Sequence, residues 1–325
     1  MSKYTIRGSE ELDERIDADL EKITKAVSPR ADAGILLGGY GRGEGTPFIN
    51  ADGSQAPFND YDLVVLVDTV NSAVKVHFQA LEKELTAAVG LPVDLCPYPI
   101  SHLRKCEFSL LNYEMKLGHL VLWGADDALA AMPNYDPRAL PLSEGSRLLL
   151  NRGKLLLDIK RRLATAEPLD AEERVRFIKF IQKVWLAFGD AALLAAGEYH
   201  LSYADKKKLI STLSAPPDSA VVVAGFLGAV ELKEWGDYAA LEPFDVDAEF
   251  RRVVELYIRF LPWYRGQYAA RECSVPKAVA LNLKWNKRID ARHPRLALYD
   301  AISDLLQDKA SISSERFYEL QRRFS

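Results

Sequence analysis

Cysteine is scarce in this 325-residue chain: Cys96, Cys106 and Cys273 are an odd number, widely spaced, and form no Cys-x-x-Cys pair. That spacing gives no recognisable disulfide framework and favours a reducing cytosol. Histidine is also sparse, with five residues. His77, His102, His119, His200 and His293 show neither HxxxH nor HExxH spacing, which argues against a zinc site. No apolar run approaches the length that spans a bilayer, and the charged stretch after Met1 has no apolar signal core. The expectation is a cytoplasmic protein with no membrane partner. Positive charge is not in surplus either. A formal net charge of −4 argues against a chain-wide electrostatic footprint for nucleic acid, leaving only a local basic patch open. There is no GxSxG nucleophile elbow and no internal repeat.

Apolar residues are plentiful, and the length suits two ordinary domains, each with a core of its own. Residues 9–27 repeat Leu12, Ile16, Leu20 and Ile23 at helical spacing. Gly34-Ile35-Leu36-Leu37 is a short apolar run ending in glycines, which suits a buried strand and a tight turn. Residues 46–58 are rich in Pro, Gly, Asn and Ser and read as an exposed loop or small hairpin. A strand over 60–68, a helix over 70–89 and a third strand around Pro92-Val93-Asp94-Leu95 follow, indicating an α/β sheet domain. Beyond Pro141 helical patterns dominate, over 143–163, 170–197, 203–213, 246–261, 276–285 and 295–306. The expected division is therefore 1–142 and 143–325, with the boundary between Leu140 and Gly145 and a helical bundle after it.

The most informative feature is Asn59-Asp60-Tyr61-Asp62-Leu63-Val64-Val65, which follows the glycine-crowded turn Leu37-Gly38-Gly39-Tyr40-Gly41-Arg42-Gly43-Glu44-Gly45. Side chains two apart on a strand project to one face, roughly 6.5 Å apart. Like charges held that close are costly, and a divalent cation removes the cost. Asp60 and Asp62 therefore read as metal ligands. The turn lacks the Gly-Lys-Ser/Thr of a Walker loop and the GxGxxG of a dinucleotide fold. Its glycines still allow backbone N–H groups at Gly38 and Gly39 to approach phosphate oxygens, and Arg42 could add a fork of donors. Taken alone, a turn used only for chain reversal fits as well.

In combination, Gly38 and Gly39, then Asp60 and Asp62, then Asp94 in a later strand resemble the polymerase-β-like nucleotidyltransferase superfamily. The string Gly-Gly-Tyr-Gly-Arg-Gly-Glu also looks like the turn of uridylyltransferases that modify nitrogen-regulatory proteins. The resemblance covers roughly the first 125 residues and lies in the three-part constellation. The segment from Phe108 to Gly124 resembles the helix and closing strand that finish such domains. Two features depart from it: most relatives have serine where Gly39 stands, and the segment before Asp60 is longer than usual.

The resemblance implies an α/β (α+β) nucleotidyltransferase head with a small mixed sheet, followed by an all-α helical-bundle domain that binds substrate. It implies transfer of a nucleoside monophosphate from a nucleoside triphosphate, ATP by default, to a hydroxyl-bearing small molecule, with pyrophosphate leaving. Two Mg²⁺ ions about 4 Å apart, or Mn²⁺, would be held by Asp60, Asp62 and Asp94. Asp94 would complete the ion nearer the acceptor. The alternatives are a protein-modifying enzyme (AMPylation or UMPylation, of regulatory or toxin–antitoxin type) and a nucleotide-binding regulator without turnover. A nucleic-acid end is not the favoured acceptor, and oligomeric state is unreadable. Glu114 reads as a solvated helix acid or a general base.

In the helical half, Lys179, Lys183 and Asp190 fall near one stripe, and Arg147, Asn151 and Lys154 near another. Lys183 and its neighbours could meet the triphosphate and Asp190 the acceptor. Ordinary solvated helix faces explain the same spacing. The turn Gly197–Tyr203 could shape an acceptor pocket or only pack two helices.

Overall fold

Leu12, Ile16, Leu20 and Ile23 are all buried, so their three-and-four spacing becomes the inner stripe of a helix, α1 (Glu10–Val27). The Ser9 side chain caps it by accepting from the Leu12 N–H. The computed structural model describes residues 2–165, 167–238, 244–309 and 313–324. After α1 come β1 (Ala33–Leu36), the one-turn helix α2 (Gly38–Gly41), a hairpin of β2 (Pro47–Ile49) and β3 (Gln55–Pro57), and β4 (Tyr61–Val67). Then follow α3 (Ser72–Val89), β5 (Val93–Pro99), α4 (Leu110–Leu117) and β6 (Leu120–Trp123).

The main sheet is mixed, in the order β5-β4-β1-β6, with β4 and β5 parallel and β1 antiparallel to both its neighbours. Alternation along β4 sorts its residues cleanly. Tyr61, Leu63, Val65 and Val67 join α1 and α3 in one core layer, while Val64 and Leu66 join Leu103, Cys106, Met115, Leu129 and Met132 in another. The sheet is thus covered on both faces. β5 is an edge strand, and its outward N–H groups find partners on α3. Val93 N–H donates to Thr86 Oγ1 at 3.0 Å, and Leu95 N–H donates to Glu82 Oε1 at 2.8 Å.

The C-terminal region is helical: α5 (Leu142–Leu163), α6 (Ala171–Ala196), α7 (Tyr203–Ile210), α8 (Ser219–Trp235), α9 (Val246–Glu272), α10 (Val275–Asn286), α11 (Pro294–Leu306) and α12 (Ser314–Phe324). α5, α6 and α9 pack on one another, and α11 packs on α5 and α9. Asp170 and Glu173 form a capping box at the start of α6, and Gly197 ends it in the left-handed conformation. No helix among the described residues is long and apolar enough to cross a membrane.

Three features of this region differ from the sequence reading. α9 does not stop at Leu261 but runs through Pro262, because the turns beyond it bury Tyr264 and Tyr268. The second is α12. The third is α8, whose Ala-Val-Val-Val-Ala-Gly-Phe-Leu-Gly stretch is apolar all round, so it carries no helical period and has weak intrinsic propensity. Its helix is made by fit to α6. A Cβ on Gly225 would lie 2.1 Å from the Trp185 ring, and one on Gly189 would lie 2.1 Å from Phe226. Each helix offers a glycine to the other's aromatic ring.

The chain divides into two compact units, Met1–Asp136 with Leu201–Tyr203 and Val230–Leu241, and Pro137–His200 with Ala204–Ala229 and Glu242–Ser325. The first is not a continuous stretch. Phe58 packs on Tyr238 with ring centroids 4.6 Å apart, and Ile49 N–H donates to Gly236 O at 3.3 Å, drawing a late segment into the head. A linear division at 142 does not contain that return.

The reciprocal packing sets a test. Gly189→Ala should destabilise by about 1–3 kcal/mol through overpacking, despite its better helix propensity. Gly228→Ala, on the exposed side of α8 with nothing within 4 Å of the new Cβ, should stabilise by up to about 1 kcal/mol. Urea unfolding midpoints of the two variants should move in opposite directions.

Candidate active site

The parallel pairing of β4 and β5 sets Tyr61 opposite Val93, Asp62 opposite Asp94 and Leu63 opposite Leu95. Neighbouring strands lie about 4.8 Å apart, so Asp62 and Asp94 stand side by side on the same face. Both are exposed, whereas the residues flanking Asp62 and Asp94 within their strands are buried. The third carboxylate, Asp60, lies just before β4 and is half-buried. Asp94 is therefore on the same side of the sheet as Asp62.

The antiparallel run of β1 delivers Gly38 to this end of the sheet, where Leu37 N–H donates to Asp62 O at 2.8 Å. Gly38 has φ +65°, and a Cβ there would come within 2.9 Å of Asp62 Oδ2. Both facts require glycine. The glycine string is not a simple reversal: Gly38–Gly41 form one helical turn, closed when Glu44 N–H donates to Gly39 O at 2.7 Å. That closure leaves little room for a side chain at position 39. A Cβ at Gly39 would lie 3.0 Å from both Glu44 O and Gly45 Cα.

Arg42 does not present an open fork. Its side chain is 11 % exposed, with Nη1 donating to Glu114 Oε2 at 3.2 Å and Nε to Glu44 Oε2 at 3.4 Å. It ties the turn to α4, and Glu114, expected to be a solvated acid or a base, is its partner. Glu44 is buried and also accepts from Tyr203 N–H at 2.9 Å. Lys233 Nζ donates to Glu44 O at 2.8 Å and to Thr46 Oγ1 at 3.1 Å. The exit of the turn is thus held by charge-assisted bonds.

Tyr40, within the turn, is 1 % exposed. Its hydroxyl accepts from Phe58 N–H at 2.9 Å and Asn59 N–H at 3.1 Å, and donates to Thr46 O at 3.4 Å. Asn59 Oδ1 accepts from Thr46 N–H at 2.7 Å. Burial pushes the Tyr40 phenol up to about 12, assisted by the charges of Asp60 and Asp19 and opposed by the two backbone donors. Its ring packs on Tyr61, with centroids 5.4 Å apart, and the Tyr61 hydroxyl donates to Asp19 Oδ2 at 3.2 Å. Asp19 is fully buried and pairs with Arg15 at 3.3 Å and Lys22 at 3.2 Å.

Tyr40, Asn59, Glu44, Lys233 and Asp19 were not singled out by sequence pattern. One carried a legible signal: Asp19 falls on the stripe Ile16, Leu20, Ile23, where a charge has no reason to be unless it is paired.

Of the residues picked from the helical half, Asp190, Arg147, Asn151 and Lys154 have partners within it. Asp190 is buried and pairs with Lys206 Nζ at 2.8 Å. Lys206 is itself 2 % exposed and donates to Tyr199 Oη at 3.0 Å. A solvated face is thus wrong for Asp190, because α7 brings it a buried cation. Arg147 pairs with Glu144, Asn151 Oδ1 accepts from Gln321 Nε2, and Lys154 lies 5.6 Å from the centre of the Tyr318 ring. Lys179 and Lys183 are half-buried on α6. The structure brings together Gly38, Asp62 and Asp94, with Gly39, Arg42 and Asp60 in the adjoining segments; Lys183 belongs to the other unit.

The donor set near β4 and β5 is all oxygen, the chemistry that Mg²⁺ and Mn²⁺ prefer over nitrogen or sulfur. Among the described residues no three His, Cys, Asp or Glu side chains gather into a ready-made cage. Mg²⁺ seldom needs one, since it is held by one or two carboxylates with phosphate and water oxygens. In comparison with known proteins, no family model and no curated sequence matches the chain. The residues and their geometry carry the functional argument alone.

Gly38→Ala should cost about 1–2 kcal/mol from the left-handed backbone alone. The added methyl should also push the Asp62 carboxylate from its place. Urea unfolding would read the first effect, and the Asp62 chemical shifts the second.

Proposed function

We propose that the protein is a nucleotidyltransferase that moves a nucleoside monophosphate, AMP from ATP, onto a hydroxyl-bearing small molecule. The observation that supports this most is the in-register pair Asp62 and Asp94, exposed at one end of an otherwise apolar sheet, with Gly38 packed against Asp62. Two like charges side by side on adjacent strands are unfavourable unless a cation joins them.

Divalent cations held by Asp60, Asp62 and Asp94 would neutralise the polyphosphate and fix the reacting oxygens in line. The chain's own residues do the rest. Backbone N–H groups at Gly38 and Gly39 orient the phosphates, where the lack of side chains lets oxygens approach. Glu44 and Glu114 hold Arg42, so the turn keeps its shape when the anion arrives. The acceptor oxygen forms a bond to the α-phosphorus while the bond to the bridging oxygen breaks and pyrophosphate leaves. The acceptor proton passes to an Oδ atom of Asp94.

Asp62→Asn and Asp94→Asn keep the size of each side chain while removing its charge. Both should fold as the wild type, by circular dichroism and thermal unfolding. Pyrophosphate release, screened over a panel of nucleoside triphosphates with Mg²⁺ or Mn²⁺ and candidate hydroxyl acceptors, should fall by two or more orders of magnitude. Unchanged release in Asp62→Asn would remove this reading.

A further inference from the structure

The Tyr40 hydroxyl bonds to backbone groups at the two ends of the segment that leads into the aspartates. It accepts from the N–H groups of Phe58 and Asn59 and donates to the carbonyl of Thr46. Thr46 begins the long segment between turn and strand, and Phe58 and Asn59 end it. One oxygen therefore closes the base of that segment, and the Asn59 side chain repeats the closure by accepting from Thr46 N–H.

The ring is fixed in place. Gly45 lies against it, where a Cβ would come within 2.2 Å of Tyr40 Cδ1, and Tyr61 covers it from β4. The phenol keeps its proton at neutral pH, as its donation to Thr46 O requires. Asp60 follows immediately after the two backbone amides that Tyr40 holds. Asp60 precedes the first paired residue of β4, Tyr61, so the closure fixes the backbone on its N-terminal side.

The geometry points to Tyr40 as a positioning residue that sets where Asp60 stands before β4, and thereby the affinity of the site for divalent cation. This rests on the reading of Asp60 and Asp62 as cation ligands. Groups that support metal ligands from behind typically change metal affinity about 10–100-fold when removed.

The test is Mn²⁺ binding to the full chain, followed by the paramagnetic resonance of the free ion, in wild type, Tyr40→Phe, Asn59→Ala and Asp62→Asn. Tyr40→Phe should weaken Mn²⁺ binding by about 10-fold, and Asn59→Ala should shift it in the same direction. In turnover, the half-saturating Mn²⁺ should rise while the rate at saturating Mn²⁺ and the nucleotide KM stay near wild type. A general loss of structure would lower the rate at every Mn²⁺ concentration and would not recover. If Asp62→Asn loses Mn²⁺ but Tyr40→Phe and Asn59→Ala bind it as the wild type does, the positioning role is overturned and the site stands. If Asp62→Asn binds as tightly as the wild type, or the wild type shows no saturable binding, the cation site itself is overturned. Should Tyr40→Phe fail to fold, Asn59→Ala alone decides, its partner being the same segment.

Discussion

The parallel register between β4 and β5 is the constraint on which the head depends. Tyr61 N–H donates to Pro92 O at 2.9 Å, and from there each residue of β4 faces a fixed partner on β5. A slip by one residue would turn Asp62 into the core layer and Tyr61 out to solvent. The slip is opposed on both sides: Tyr61, Leu63, Val65 and Val67 fill one layer, while Val64 and Leu66 fill the other. The placement of two exposed carboxylates is thus enforced by apolar packing several residues away.

Around that sheet the head buries several charged side chains. Asp19 and Glu44 are buried, the Arg42 side chain is largely removed from water, and each is matched by partners at hydrogen-bonding distance. Burying a paired charge contributes little net stability, but losing one partner leaves the other stranded at a cost of several kcal/mol, about 3–5. Such networks therefore specify geometry more than they add stability. Here they fix three things in turn: α1 to Tyr61, the glycine turn to α4, and the turn's exit to Lys233.

Much of the local structure was legible because it follows from periodicity. Alternation in Tyr61–Val67 and the helical spacing of Leu12, Ile16, Leu20 and Ile23 are properties of short windows. The glycine string and Asp-x-Asp were legible for the same reason. What could not be read depends on residues distant in the chain. Lys233 reaches Glu44 from 189 positions away, and nothing local marks either as paired. α8 has no period to detect, since its shape answers to Trp185 and Phe226. Asp190 was read as an acceptor contact or part of a solvated face, although a lone charge in the apolar run Ala187-Phe188-Gly189-Asp190-Ala191-Ala192 is the mark of a buried one. Its partner Lys206, across the turn after α6, was not.

The edge of the sheet carries one more consequence. β5 ends the sheet, and a free strand edge is a template on which another extended chain can add by backbone hydrogen bonding. Thr86 and Glu82 already occupy the donors of Val93 and Leu95 on that side. Strand addition beside Asp94 is thereby opposed, which guards this edge against edge-to-edge pairing and leaves recognition there to side chains, not to a shared ladder.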